Sequence, residues 1–192
     1  MRGVGPLSQP AYVRQASGLP SADTIGDPAR LARVRELVAG VNGSTVLAGL
    51  VHLAGRVADV DSAQLSLLAD EQVATIVRSR GAAVCEQVSP LEDSLCTVTV
   101  LSRDVLVAAD AREHPWLRAL APVVSGAVGA YLGVPLLLGD GTVVGALCVY
   151  GPQPRKWTDR DVGLTCEVAD VVALELQRLA AGAGGGTAHG SG

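Results

Sequence analysis

The sequence predicts a mixed α/β (α+β) domain. We expect a central, mostly antiparallel sheet with long helices on one face and short helices and loops forming a pocket on the other. Three observations lead there. Helical patterns open and close the patterned part of the chain, with strand-like runs between them. The clearest runs, Val134–Leu138 and Val143–Tyr150, are joined through Gly139-Asp140-Gly141, and an Asp-Gly pair suits a hairpin turn that needs positive φ. Both faces of the second run are apolar: Val144, Ala146, Cys148 and Tyr150 on one, Val143, Gly145, Leu147 and Val149 on the other. Such a strand must be covered on both sides. Long helices can cover one side, which leaves segments 93–101 and 111–127 for the other. A cover of short helices and loops is where a cavity forms.

Taken in order, residues 1–26 are rich in Pro, Gly and Ser without periodicity and read as a flexible arm. The domain proper is expected over 27–180. Asp27-Pro28 gives an N-cap followed by proline at the first helical position. Leu31, Val34, Leu37, Val38 and Val41 continue at helical spacing until Asn42-Gly43. Ser44 can cap a second helix with Val46, Leu47, Leu50, Leu53, Ala54 and Val57 on one face and Thr45, His52 and Arg56 on the other. Ala63–Ala69 and Val73–Val77 flank Asp70-Glu71-Gln72 as a hairpin. Residues 79–92 read as irregular, 93–101 as a short helix and Val105–Ala109 as a strand. Asp110 opens a loop and a short helix through His114, Trp116 and Leu120. The last helix starts at Thr158, where Asp161 three residues on makes a capping box with Asp in place of Glu, and runs to about Leu179. Residues 181–192 form a Gly-rich tail, read as disordered.

Composition narrows the function. The 192 residues are 48% apolar, enough for a sizeable core, yet the chain has no Phe, one Met and a single lysine, Lys156. Val, Leu and Ala must therefore fill the interior. A net charge of −4 gives no electrostatic footprint for nucleic acid. No apolar run reaches the roughly 18 residues that span a bilayer, and the N-terminus lacks the apolar region of a secretory signal. We expect a cytoplasmic protein with neither nucleic-acid nor membrane partners. Cysteines at 85, 96, 148 and 166 show no CxxC spacing, which argues against structural zinc. Cys148 and Cys166 read as small core residues. Phosphate loops of the GxxxxGK[ST] type are absent, and no Ser-His-Asp order is recognisable.

Several short pieces resemble the GAF domain family, in particular the bacterial subset found in front of signalling phosphatases and sensor kinases. They are Asp93-Ser94-Leu95-Cys96, Asp110-Ala111-Arg112-Glu113-His114-Pro115, Tyr131-Leu132-Gly133-Val134-Pro135-Leu136, Gly145-Ala146-Leu147-Cys148-Val149 and Arg155-Lys156-Trp157-Thr158. The resemblance covers about residues 29–179. It implies a sensory module in bacterial signal transduction, binding a small molecule or serving as a protein-interaction domain, with a ligand pocket on the sheet face opposite the long helices. Many relatives carry a kinase, phosphatase or cyclase output domain; none is visible in this sequence. Output is therefore expected from a partner, such as a signalling kinase or phosphatase.

The pocket-side candidates are Cys96, Asp110, His114, Trp116 and Tyr131, which fall in or beside the two covering segments. His114 is the residue that titrates near neutral pH. Asp110 can fix the turn that follows it. The ligand is an unknown small molecule, expected to be apolar or weakly polar, since no glycine-rich cradle or arginine cluster is present. The sequence names no cofactor and no metal site. The competing reading is a thiol redox enzyme or sensor of the free methionine sulfoxide reductase type, using Cys85 and Cys96. That family arrangement includes a further pocket cysteine, and none lies between Cys96 and Cys148. The expectation is therefore a non-enzyme. Bilin-binding motifs are also missing. The final helix carries Val162, Cys166, Ala169, Val172, Ala173, Leu176 and Leu179 as its main stripe, with a second set, Leu164, Val171 and Leu174, on the far side. One sheet face cannot bury both, so a homodimer through this helix and the helices at 28–41 and 44–57 is expected.

Overall fold

The computed structural model describes residues 23–41, 43–78 and 84–184. One turn of helix, α1 (Asp23–Gly26), precedes α2 (Pro28–Val41). Asp27 begins α2 as its sequence suggests: its Oδ1 accepts from Arg30 N at 2.7 Å. Ser44 Oγ likewise accepts from Leu47 N at 3.3 Å and starts α3 (Thr45–Val57). The buried stripe of α3 is Leu47, Val51 and Ala54, whereas Val46 and Leu53 are 52% and 44% exposed. This corrects the expected face. Apolar residues occupy nearly every side of α3, so periodicity alone could not select the stripe that meets the sheet.

The sheet contains β1 (Ser62–Leu68), β2 (Gln72–Arg78), β3 (Val84–Ser89), β4 (Leu106–Ala108), β5 (Ala130–Leu137) and β6 (Val143–Gly151). Its order is β3-β2-β1-β6-β5-β4, and every neighbouring pair is antiparallel. The stretch expected to be irregular, 79–92, instead supplies β3, which pairs Gln72 with Ser89 and Val77 with Val84. Its sequence, VCEQVS, is too polar to read as a core strand. An edge position tolerates that polarity. A 3-10 turn, Leu91–Asp93, leads to α4 (Leu95–Ser102), capped by Ser94 Oγ on Thr97 N at 3.3 Å. Residues 109–120 are turns rather than the expected helix, and α5 (Ala121–Val124) follows them. The last helix, α6 (Asp159–Gly184), begins with the predicted reciprocal box: Thr158 N donates to Asp161 Oδ2 at 2.9 Å, and Asp161 N to Thr158 Oγ1 at 3.1 Å. It extends past the expected end near Leu179. Residues 1–22 of the expected arm and 185–192 of the expected tail lie outside the described residues.

Helices α2, α3 and α6 pack on one sheet face around Leu65, Leu67, Leu132, Leu136, Leu147 and Val149. On the other face α4, the 109–120 turns and α5 enclose a second core that includes Leu68, Leu117, Val123, Tyr131, Ala146 and Cys148. Two-sided burial is therefore as the β6 sequence requires. The assignment of Val143 and Val144 is reversed, however. The β5–β6 register shifts between Leu136, opposite Gly145, and Leu137, opposite Val143. The bulge inserts Val144 as an extra residue and flips the alternation. Val144 joins the helix-side core, and Val143 joins the other. Arg30, only 4% exposed, secures the bulge. Its guanidinium donates to Val143 O (2.7 Å), Leu68 O (2.7 Å) and Ile25 O (3.0 Å).

Candidate functional site

Strand β1 is buried along its whole length, yet its sequence is SAQLSLL. Ala63, Leu65 and Leu67 enter the helix-side core. Strand alternation therefore sends Ser62, Gln64 and Ser66 to the opposite face. Facing them are the first turn of α4, the start of α5, and Tyr131, Cys148 and Tyr150 from β5 and β6. Together they line a cavity of about 710 Å³, whose wall includes Gln64, Gln72, Ser94, Cys96, Tyr131 and Tyr150. Volumes of this order suit small-molecule sites.

Polar groups of the wall are hydrogen-bonded to one another and to Ser66 and Thr99, which are not among its lining residues. Gln64 Nε2 donates to Ser66 Oγ at 2.7 Å, and Tyr150 OH donates to Gln64 Oε1 at 3.4 Å. Ser94 Oγ donates to Gln72 Oε1. Ser66 Oγ donates to Cys96 Sγ at 3.2 Å, and the Cys96 and Cys148 sulfurs lie 3.2 Å apart. Tyr131 OH sits 2.8 Å from Thr99 Oγ1 and 3.8 Å from Cys96 Sγ. Gly133 makes room for this meeting, because a Cβ there would fall 2.5 Å from both the Thr99 and Tyr131 oxygens. The hydrogen bond with Cys148 pulls the Cys96 thiol below its ordinary pKa despite burial. Burial pushes Cys148 and Tyr131 well above theirs. The two thiols are thus shifted in opposite directions.

Of the five expected site residues, the structure brings Cys96 and Tyr131 together in this wall. Asp110, His114 and Trp116 are not among the described residues that line it. Asp110 is instead tied to Arg112, whose Nη2 and Nε lie 2.6 and 2.8 Å from its carboxylate. That hydrogen bonding holds the Asp110 carboxyl below its usual range. His114 Nδ1 accepts from Trp116 N at 3.4 Å, and the two rings meet edge to face at 5.7 Å. Burial lowers the His114 pKa. Trp116 packs against the second core. This loop is therefore a fixed turn that closes the cover. Arg155 and Trp157 also serve structure: Arg155 stacks on the Trp157 ring at 4.5 Å, and Trp157 Nε1 donates to Ala108 O at 3.0 Å. Cys85 lies on β3 opposite Ile76, and its side chain is outside the described residues. Sequence reasoning missed Gln64, Ser66, Gln72, Ser94 and Tyr150. The available signal was the alternation of polar residues in β1.

The lining is also more polar than one suited to the apolar or weakly polar ligand expected from the sequence. Gln64, Gln72 and Gln87, with Ser62, Ser89 and Ser94, give it many donor and acceptor groups. Among the described lining residues there is no Lys, Arg or His. Among the described residues, no group of three or more His, Cys, Asp or Glu could hold a metal. No single helix among them is long and apolar enough to cross a membrane.

Comparison with known proteins decides the family, because the sequence profile of the GAF domain matches residues 42–176. The chain belongs to the GAF domain family. A cyclic di-GMP phosphodiesterase of Pseudomonas aeruginosa is 33% identical over 94 residues, a match covering 47% of this chain and 16% of that protein. The GAF domain of the Acinetobacter phosphoenolpyruvate-protein phosphotransferase superposes with a TM-score of 0.58 at 16% identity, covering 81% of this chain and 96% of that one. A type II free methionine-R-sulfoxide reductase from Thermoplasma acidophilum superposes at 0.52 with 18% identity, covering 71% and 92%. These structures share the fold. The mixed architecture of helices and a six-stranded antiparallel sheet matches these neighbours.

Proposed function

We propose that this GAF domain is a cytoplasmic sensory module that binds a small, polar, non-anionic molecule in the cavity between β1, β6 and α4. The observation that carries the proposal is the polar wall. A face needed only for packing would be filled with aliphatic side chains, as the opposite face of β1 is. Here Gln64, Ser66 and Ser94 are buried instead, and a bound ligand's hydrogen bonds would add to those they make to Ser66, Cys96 and Gln72. The absence of basic groups among the described lining residues disfavours an anionic ligand. The reading involves no turnover. The partial match to a cyclic di-GMP phosphodiesterase supports a place in bacterial signalling; a kinase or phosphatase as the output partner is our proposal from the sequence resemblance. Free buried thiols suit a reducing cytoplasm.

For transmission we propose a homodimer. Helices α3 and α6 expose Val46, Leu53, Val171 and Leu174 at 44–66%, and both pack directly on the sheet whose far side lines the cavity. A ligand that prefers one arrangement of these helices shifts the dimer between two states. The test is a thermal-shift screen of the full chain against nucleobases, nucleosides and small amides, beside cyclic nucleotides, cyclic dinucleotides and dicarboxylates. The expected outcome is stabilisation by a member of the first group, lost in Gln64→Leu. Stabilisation only by the anions, unaffected by that substitution, would overturn the reading.

A further inference from the structure

We propose that Cys96 and Cys148 form a redox-modification site: a small hydroperoxide entering the cavity converts the two thiols to an intramolecular disulfide that ties α4 to β6. The proposal goes beyond the sensory reading and stands separately from it, because it needs the cavity but not any particular ligand.

Geometry carries it. The sulfurs are 3.2 Å apart, and a disulfide bond is about 2.05 Å long. Closure therefore requires an approach of roughly 1.2 Å. Cys148 is held in a central strand, paired with Gln64 on β1 and Gly133 on β5. Cys96 lies in the first turn of the short helix α4, so the movement falls on that turn. Both residues line the cavity while being only 3% and 1% exposed overall. That limits access to molecules small enough to enter.

The surroundings assign the roles. Cys96 Sγ has Ser66 Oγ at 3.2 Å, Tyr131 OH at 3.8 Å and Gln64 Nε2 at 3.9 Å. Donors gathered around one sulfur favour its thiolate, the form that attacks. The shifts of the two thiols, Cys96 down and Cys148 up, run the same way. In the first step the Cys96 thiolate attacks the terminal oxygen of the hydroperoxide. The O–O bond breaks, the alkoxide leaves with a proton as an alcohol, and Cys96 becomes a sulfenic acid. In the second, the Cys148 sulfur gives up its proton and displaces hydroxide from the Cys96 sulfur, and the two depart as water. In sum, two thiols and a hydroperoxide give a disulfide, an alcohol and water. Two electrons pass from the sulfurs to the O–O bond.

Cys166 is the internal control. It packs against the helix-side core, across the sheet from the pair, and burial pushes its thiol up to about 11.

The test uses the reduced full chain, treated with cumene hydroperoxide, blocked with an alkylating agent and analysed by intact mass and non-reducing peptide mapping. The expected result is an intact mass that carries two alkyl groups instead of four and lacks two hydrogens, a cross-linked peptide joining Cys96 to Cys148, and reversal by dithiothreitol. Cys166→Ser should behave as the wild type, and Cys96→Ser and Cys148→Ser should give no such peptide. The wild-type map decides the matter even if either serine variant fails to fold. A cross-link joining Cys85 to Cys96, or oxygen addition at Cys96 with Cys148 still alkylated, would overturn the proposal.

Discussion

Replacing Gln64 by leucine separates a binding wall from a structural one. Gln64 is 8% exposed and makes one good side-chain hydrogen bond, 2.7 Å to Ser66 Oγ, and two long ones, 3.4 Å from Tyr150 OH and 3.9 Å to Cys96 Sγ. Losing the first costs about 1 kcal/mol, and the long ones cost less. The partners are not stranded. Ser66 Oγ still donates to Cys96 Sγ, and Tyr150 is only half-buried. Against this, a leucine of similar size no longer buries an amide, whose imperfectly compensated desolvation costs about 1–3 kcal/mol. The opposing terms nearly cancel, so stability should change by no more than about 1 kcal/mol, or about 2–4 °C in Tm for a chain of this size. Urea denaturation gives the free energy and scanning fluorimetry the Tm. In the same preparation, the thermal response to a cavity ligand should vanish. A loss of more than about 3 kcal/mol would refute the reasoning, since it would mean that the polar network holds the fold and is not there for a ligand.

Four further outcomes follow from the same geometry. Arg30→Met leaves the Val143 and Leu68 carbonyls without their buried donor and should destabilise by about 3–5 kcal/mol; a loss below about 1 kcal/mol in urea would contradict the clamp. Gly133→Ala forces a methyl against Tyr131 and Thr99 and should lower stability by about 1–3 kcal/mol, with crystals of the variant showing the Tyr131–Thr99 hydrogen bond broken. Changing Val171 and Leu174 together to Glu, on exposed positions of α6, should convert a dimer to monomers in light scattering with unchanged circular dichroism; a wild type already monomeric at high micromolar concentration would end the dimer proposal. Burial lowers the His114 pKa in the folded state, so the unfolded chain binds the proton first as pH falls below about 6.5. Stability should therefore be full above that pH and decline below it, until the folded-state pKa is passed, and His114→Asn should flatten that part of the profile.

The legible parts of the fold were those where local chemistry and tertiary packing agree. Asp27, Ser44 and Thr158 each read as a helix start, and each helix begins there. The β5–β6 hairpin was visible because apolar runs flank Asp140-Gly141, and Gly141 does adopt positive φ. Illegible features depended on neighbours. Strand β3 is defined by its pairing with β2 rather than by its own sequence, which has Glu86 and Gln87 at its centre. The Val143/Val144 exchange depends on one inserted residue, and a one-residue slip inverts every later side chain. The α3 stripe is set by where the sheet and α6 lie, since the helix itself is apolar on almost all sides.

The site was legible only in part, for a related reason. Attention to reactive residue types found Cys96 and Tyr131 but also collected Asp110, His114 and Trp116, whose chemistry is spent on one another and on Arg112. The residues that make the cavity polar are ordinary serines and glutamines, noticeable only through position. Gln64 and Ser66 alternate with Leu65 and Leu67 in a strand that is buried on both faces. An amphipathic strand at a sheet edge shows the same alternation and needs no explanation. In the middle of a covered sheet, polar groups must find partners inside the protein or in a ligand. The order β3-β2-β1-β6-β5-β4 places β1 at that centre. Strand order is what turns the sequence SAQLSLL from a commonplace pattern into the wall of a buried polar cavity.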